Sequence, residues 1–294
     1  MFDRSKCDLC GECLVKCQYV DFGLEKVKEE MGKLVRGEPA SILKECITCV
    51  ACNQYCEKGA NPFDLINQMQ EETGLFEVSD KAIQLFTAAD MMPVEVVAGQ
   101  PGKQVMSVCA VDLIPGLFEG QLFEGMTFLK GGDYFCKLGW VHAARESHVR
   151  DGAQAVVDKL AETGAKEIIF FHDDCYAMMA TKVKEYGVNV PFKDSWLDEL
   201  FGLMGVERVK RRYDRVNALC CTTPIVATNR ERSGKIKDMN VKDALDAGAE
   251  AMVFLCPLCF LGLRRRAREA GLKTFHLIHL CRLALGEELP AGET

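Results

Sequence analysis

Sixteen of the 294 residues are cysteine, and their spacing carries most of the chemistry. Cys7, Cys10, Cys13 and Cys17 follow the pattern C-x2-C-x2-C-x3-C, and Cys46, Cys49, Cys52 and Cys56 repeat it. So tight a run lets one loop bring three thiolates to three corners of an iron–sulfur cubane, while the fourth reaches the neighbouring cubane. The two runs therefore predict two [4Fe–4S] clusters with exchanged fourth ligands. One takes Cys7, Cys10, Cys13 and Cys56, and the other takes Cys46, Cys49, Cys52 and Cys17. Zinc also accepts four thiolates, but two identical four-cysteine runs argue against a pair of zinc sites. The proline that usually follows such a run is missing: Gln18 and Glu57 stand there, and Pro62 comes later. The insert Tyr19–Leu43, rich in Glu, Lys and Val, reads partly as helix. The module is thus expected to be helical.

Composition narrows what such clusters serve. At 48% hydrophobic and 27% charged, the chain has the make-up of a globular protein. A net charge of −7 excludes a general nucleic-acid binder, which needs a basic field. The uncharged stretch Ala251–Leu263 is too short for a membrane-spanning helix. The N-terminus is polar by Asp3 and has no apolar signal core. The expected location is the reducing cytoplasm, where many thiols mean metal or redox chemistry.

Beyond the first 80 residues, Met91-Met92-Pro93 and Gly99-Gln100-Pro101-Gly102 mark residues 81–104 as a linker. An α/β pattern follows. Val105–Val108, Ile168–Phe171 and Met252–Leu255 read as buried strands, and Ala153–Glu162 and Leu261–Ala270 as helices. This part repeats itself at an offset of 84 residues. Gly164–Tyr176 matches Gly248–Phe260, and the same offset sets Cys136 on Cys220 and Phe192 on His276. Two copies of one unit are expected, over residues 105–200 and 201–294. The second carries Cys220-Cys221 and Cys256-x-x-Cys259, four thiols suited to a third cluster. The first carries Cys109, Cys136 and Cys175, with His172 in the place of Cys256 and Lys137 in that of Cys221. The fold class is therefore α+β: a helical two-cluster domain followed by a duplicated α/β cysteine-rich domain.

On these residues the chain resembles the heterodisulfide reductase family. It is similar to that family's small two-cluster ferredoxin-like polypeptide fused ahead of a cysteine-rich (CCG) domain like that of its disulfide-reducing polypeptide. Iron–sulfur oxidoreductases of glycolate, lactate and glycerol-phosphate metabolism share that domain. The resemblance spans nearly the whole chain. In the disulfide-reducing polypeptide of the family each motif, a Cys, then Cys-Cys-Gly, then Cys-x-x-Cys, holds a noncubane [4Fe–4S] cluster that reduces a disulfide. Cys220, Cys221, Cys256 and Cys259 match the second motif, with Thr222 in place of its glycine and no upstream cysteine nearer than Cys175. Cys109, Cys136 and Cys175 match fragments of the first motif. The resemblance implies an iron–sulfur oxidoreductase of anaerobic metabolism, cytoplasmic and part of a hetero-oligomeric complex. A flavin- or ferredoxin-type subunit would donate electrons, and a disulfide or thiol would be the substrate.

Other residues carry two readings each. Cys109, Cys136, His172 and Cys175 can form a Cys3His site for zinc or a cluster, or be packed core thiols beside a turn histidine. Cys281, after His276 and His279, reads as core. Arg208, Lys210, Arg211, Arg212 and Arg215 precede the vicinal cysteines, and Arg264, Arg265, Arg266 and Arg268 follow the C-x2-C. They are either solvated faces or a field that raises a cluster's potential and attracts an anionic substrate or acidic partner. Two function classes follow. Electrons pass from the two cubanes to a third cluster at Cys220, Cys221, Cys256 and Cys259, which reduces or forms a disulfide. Alternatively, the chain is a non-catalytic conduit or scaffold in a larger redox complex.

Overall fold

The computed structural model describes residues 1–188, 197–227 and 229–289. It is 49% helical and 8% strand, a mixed architecture consistent with the α+β class. The N-terminal part is helical throughout. Two short helices start inside the cysteine runs, α1 (Glu12–Val15) and α4 (Ala51–Tyr55), and α2 (Leu24–Val35), α3 (Ile42–Glu45) and α5 (Pro62–Thr73) surround them. Helix α2 lies in the insert between the runs. Its Val27, Met31 and Leu34 recur at helical spacing and are almost wholly buried. Glu30 is buried beside them because its carboxylate accepts the Ile42 N–H at 2.8 Å, at the start of α3. Pro62 opens α5 in the first turn, where its missing N–H is not needed.

The two cysteine runs share one backbone path. Leu9 and Thr48 both have φ of 59°, and Gly11 and Val50 follow at 82° and 65°. A left-handed conformation disfavours any side chain with a Cβ, β-branched ones most. Thr48 and Val50 adopt it because the loop must turn its thiols inward.

Residues 81–104 hold more structure than a linker. Helix α6 (Asp80–Asp90) starts at Ser79, whose Oγ accepts the Ala82 N–H at 3.2 Å. Phe86 packs on Trp140 with ring centroids 5.5 Å apart. Strand β1 (Glu95–Val97) then joins a sheet with β2 (Val105–Cys109), β3 (Thr127–Lys130) and β4 (Ile168–Phe170). The order is β1-β3-β2-β4, with β1 antiparallel and the rest parallel. Helix α7 (Glu146–Ala161) makes the crossover to β4. After β4 come α8 (Asp173–Ala177), a π-helical turn at Met178–Lys182, α9 (Val183–Glu185) and α10 (Leu197–Leu203). A second unit follows: α11 (Arg230–Asp246), β5 (Ala251–Phe254), α12 (Pro257–Glu269), β6 (Lys273–His276) and α13 (Leu277–Ala284), with β5 and β6 parallel.

Two local features recur 84 residues apart. Helix α7 begins at Glu146 and α11 at Arg230. His172 caps α8 at φ −99°, ψ 133°, and Cys256 caps α12 at φ −100°, ψ 130°. Phe192, which the offset sets on His276, and the last five residues lie outside the described residues. One apolar core joins Phe63, Ile66 and Met69 of α5 to Val141, Val149 and Val157, so the cysteine-run module and the first α/β unit are packed as one. A second core joins Met106, Val108 and Phe128 of the sheet to Val241, Met252 and Phe260. No helix among the described residues is long and apolar enough to cross a membrane.

Candidate functional site

The N-terminal thiols form two groups. Burial pushes the Cys13 thiol up to about 12, helped by the neighbouring thiols of Cys56, Cys10 and Cys7. In the second group, burial raises Cys46, with Cys49 and Cys17 beside it. Cys49 is pushed up to about 11 by burial and by Cys17. Cys52 is raised by burial, with Cys46 and Cys49 as its nearest thiols. Each run thus has the last thiol of the other run beside it. Cys17, Cys46, Cys49 and Cys52 line a common cavity with Leu14 and Tyr55. Backbone N–H groups already point at these sulfurs: Thr48 to Cys46 at 3.3 Å and Ala60 to Cys56 at 3.4 Å.

In the second half one thiol pair lies at the carboxyl end of a strand, the usual ligand side of a parallel sheet. Cys256 and Cys259 sit where β5 turns into α12. Cys220 and Cys221 come from the segment before α11. Cys221 is held well below the usual thiol range by hydrogen bonds from Cys220 and Cys259. Cys256 is lowered by Cys259 and, against burial, by His172. The four expected thiols therefore form a chain of contacts, Cys220 to Cys221 to Cys259 to Cys256. Gly262 permits this approach, since a Cβ there would overlap Thr223 Oγ1. Helix α11 supports the vicinal pair from below: Ser233 Oγ lies 2.8 Å from Thr222 Oγ1, and Asn240 Nδ2 donates to Leu219 O at 3.2 Å.

The first half also gathers its thiols. Cys109, Cys136 and Cys175 are buried, with sulfurs within 4.8 Å of one another. Cys109 is the most acidic of the three because Cys136 and Cys175 donate to it. It sits at a register shift of β2 against β3 with φ of 62°, a bulge that re-aims its side chain. His172 does not complete this triad. Its Nε2 lies 3.1 Å from Cys256 Sγ, while Nδ1 is 4.0 Å from Cys175 Sγ. Burial opposes its protonation, but Cys256 and Asp174 outweigh this and carry it up to about 10. Asp174, its side chain 42% exposed, lies beside both Cys221 and Cys109. The two thiol sets of the α/β part are therefore neighbours, joined by His172 and Asp174.

A junction connects the second run to the vicinal pair. Tyr19 OH accepts the Cys220 N–H at 2.9 Å, and Cys49 and Cys220 pack in one cluster with Tyr19, near its phenolic oxygen. Arg232 bridges the parts, donating to Glu45 O at 2.7 Å and Tyr19 O at 2.8 Å. Thr48 Oγ1 meets His142 Nδ1 at 2.8 Å, and burial pushes that imidazole down to about 4. Tyr19, His142, Arg232 and the polar face of α11 were not singled out from the sequence. Their signal is contact across the fold, which spacing along the chain does not encode.

Four of the nine residues of the basic runs are held in ion pairs. Arg211 binds Asp243, Arg208 binds Asp214, Arg265 binds Glu269 and Arg266 binds Asp238. Cys281 is half-buried on α13. The donor sets fit iron–sulfur cores. They are soft sulfur ligands, and the buried thiols of the two N-terminal groups resist ionising together unless cationic iron lies among them.

Residues 169–264 match the family model described as the CCG cysteine-rich domain, a domain found in heterodisulfide reductase subunits. The matched stretch starts in β4 and ends in α12, enclosing His172, Cys175 and the four second-half thiols. The domain is typical of iron–sulfur oxidoreductase subunits. Among solved structures, the chain is similar to a hypothetical protein from Helicobacter pylori at 11% identity and a TM-score of 0.57. The match covers 90% of this chain and 64% of that one, and is a likeness of fold. No curated protein sequence matches the chain.

Proposed function

We propose that this is a heterodisulfide-reductase-like electron-transfer protein whose residues 1–80 hold two cubanes and whose duplicated α/β part holds a third centre. The first cubane takes Cys7, Cys10, Cys13 and Cys56, and the second takes Cys46, Cys49, Cys52 and Cys17. Cys220, Cys221, Cys256 and Cys259 hold the third. The observation that carries the proposal is continuity: Cys49, Tyr19 and Cys220 are in direct succession, so the second run abuts the vicinal pair. Such clusters supply electrons one at a time, and cleaving a disulfide to two thiols consumes two electrons and two protons. The protein's own part is to place the centres in a row and to keep His172 against the third one, 3.1 Å from Cys256 Sγ. An electron-donor subunit of the flavin or ferredoxin type would feed Cys10, the exposed thiol of the first group.

Anaerobic iron and acid-labile sulfide analysis of the reconstituted full chain tests this. Content well above the eight iron atoms of two cubanes, on the cluster stoichiometry, together with disulfide reduction driven by an artificial reductant, is the expected result. Zinc in place of iron, or only two cubanes, refutes it. One observation favours the conduit reading: Cys221 and Cys256 are buried, at 8% and 5% exposure, leaving half-buried Cys220 and Cys259 toward solvent. Three reducible centres without disulfide turnover would select that reading.

A further inference from the structure

Helix α11 turns Ser233, Lys237 and Asn240 toward the Leu219–Thr222 segment. Ser233 and Asn240 hydrogen-bond to it. Lys237 is 8% exposed, and no carboxylate among the described residues pairs with it. Other buried cations are matched: Lys182 by Asp64 and Arg282 by Glu287. Around Lys237 stand the thiols of Cys221, Cys220 and Cys259, and the Arg266 guanidinium, which already pairs with Asp238. Its ammonium reaches to 3.5 Å from where a Gly262 side chain would begin, so a side chain at 262 would crowd it.

Burying an ammonium without a partner is costly, and proteins avoid it unless an anion faces it. The anions available here are sulfurs. We infer that Lys237 is the counter-charge of the third thiol set, a positioning residue that raises the reduction potential of the centre held there. The inference rests on the third centre proposed above. Reduction adds negative charge to a centre that already carries four thiolates, and a fixed cation alongside favours the reduced form. Burial keeps that effect from being screened by salt. Arg265 and Arg266 nearby are paired with Glu269 and Asp238, so the unpaired lysine has the larger effect.

The test is an anaerobic redox titration of the full reconstituted chain, read by the paramagnetic signals of each centre. Lys237→Met removes the charge at similar length, and Lys237→Arg keeps it. The expected result is a third centre shifted to lower potential in Lys237→Met, close to wild type in Lys237→Arg, with the two N-terminal centres unmoved in both. An unchanged third potential in Lys237→Met, or an equal shift of all three centres, overturns the inference. If Lys237→Met does not take up the third centre, the arginine variant decides. Uptake at the wild-type potential supports a charge role; its failure assigns Lys237 to packing and overturns the inference. A wild-type chain holding only two centres refutes the proposed function itself and the inference with it. A wild type with three centres and indifferent variants refutes the inference alone.

Discussion

Lys182→Met should cost the protein about 3 kcal/mol, near the lower end of the roughly 3–5 kcal/mol for breaking a buried ion pair from one side. Lys182 Nζ lies 2.6 Å from Asp64 Oδ1, with the side chains 6% and 3% exposed. Removing the ammonium strands a carboxylate that cannot reach water. The Asn53 amide, which also donates to this carboxylate, offsets part of the loss, which sets the value at the low end. On the usual scale of about 2–4 °C per kcal/mol, the melting temperature should fall by roughly 6–12 °C. The pair also bears on the second run, because Asn53 Nδ2 donates to the same Asp64 oxygen at 3.1 Å, between Cys52 and Cys56. Thermal melts of anaerobically prepared wild type, Lys182→Met and Lys182→Met/Asp64→Asn measure the effect. The double variant should recover much of the loss, since it leaves no orphaned charge. The Lys182 partner holds Asp64 below the usual carboxyl value despite burial. The stability it confers is therefore present above the unfolded value of about 3.9 and lost as pH falls through the folded one. The gap between wild type and Lys182→Met should close on the same acid side. A loss below about 1 kcal/mol at neutral pH, the level of an exposed pair, would refute the reasoning.

Cys56→Ser should damage the cluster of the first run more than that of its own run; resolved spectra in which only the second-run cluster changes would reverse the pairing. Cys221→Ser and Cys256→Ser should each remove the third centre and leave the N-terminal clusters reducible, measured by iron content and spectral titration. Cys136→Ser and Cys175→Ser should be milder, and greater damage from them would move the working centre to the first half. Gly262→Ala should destabilise by about 1–3 kcal/mol as an overpacking change, because its Cβ would overlap Thr223 Oγ1; an unaltered melt would show that α12 can shift away without cost.

The thiol groupings were the most legible part, because short-range spacing dictates which sulfurs a loop can converge. Strands at 105, 168 and 251 were readable from apolar runs, with bounds within about a residue. Helix α6 was hidden by the turn signals after it. Its Ser79 cap and Phe86 contact to Trp140 show why the segment folds back instead of trailing. Helix α11 was not legible, since its buried face mixes Ser233, Lys237, Asn240 and Asp243 with Ile236, Val241 and Ala244, and hydrophobic patterning reads such a helix as solvated. His172 aligned with Cys256 in sequence, yet in space it touches Cys256 itself. A linear offset between matching residues does not show which of them come into contact in the fold.

The thiols are graded in exposure, from Cys10 in solvent, through half-buried Cys49 and Cys220, to Cys109, Cys136 and Cys175 deep inside. Oxidants attack sulfur according to its accessibility, so air should consume this protein from its outer end. On the proposed electron path, the first casualty would be the entry point, while the interior stayed chemically intact behind it. An aerobically handled sample would then retain most of its inner sulfur and still be electrically disconnected.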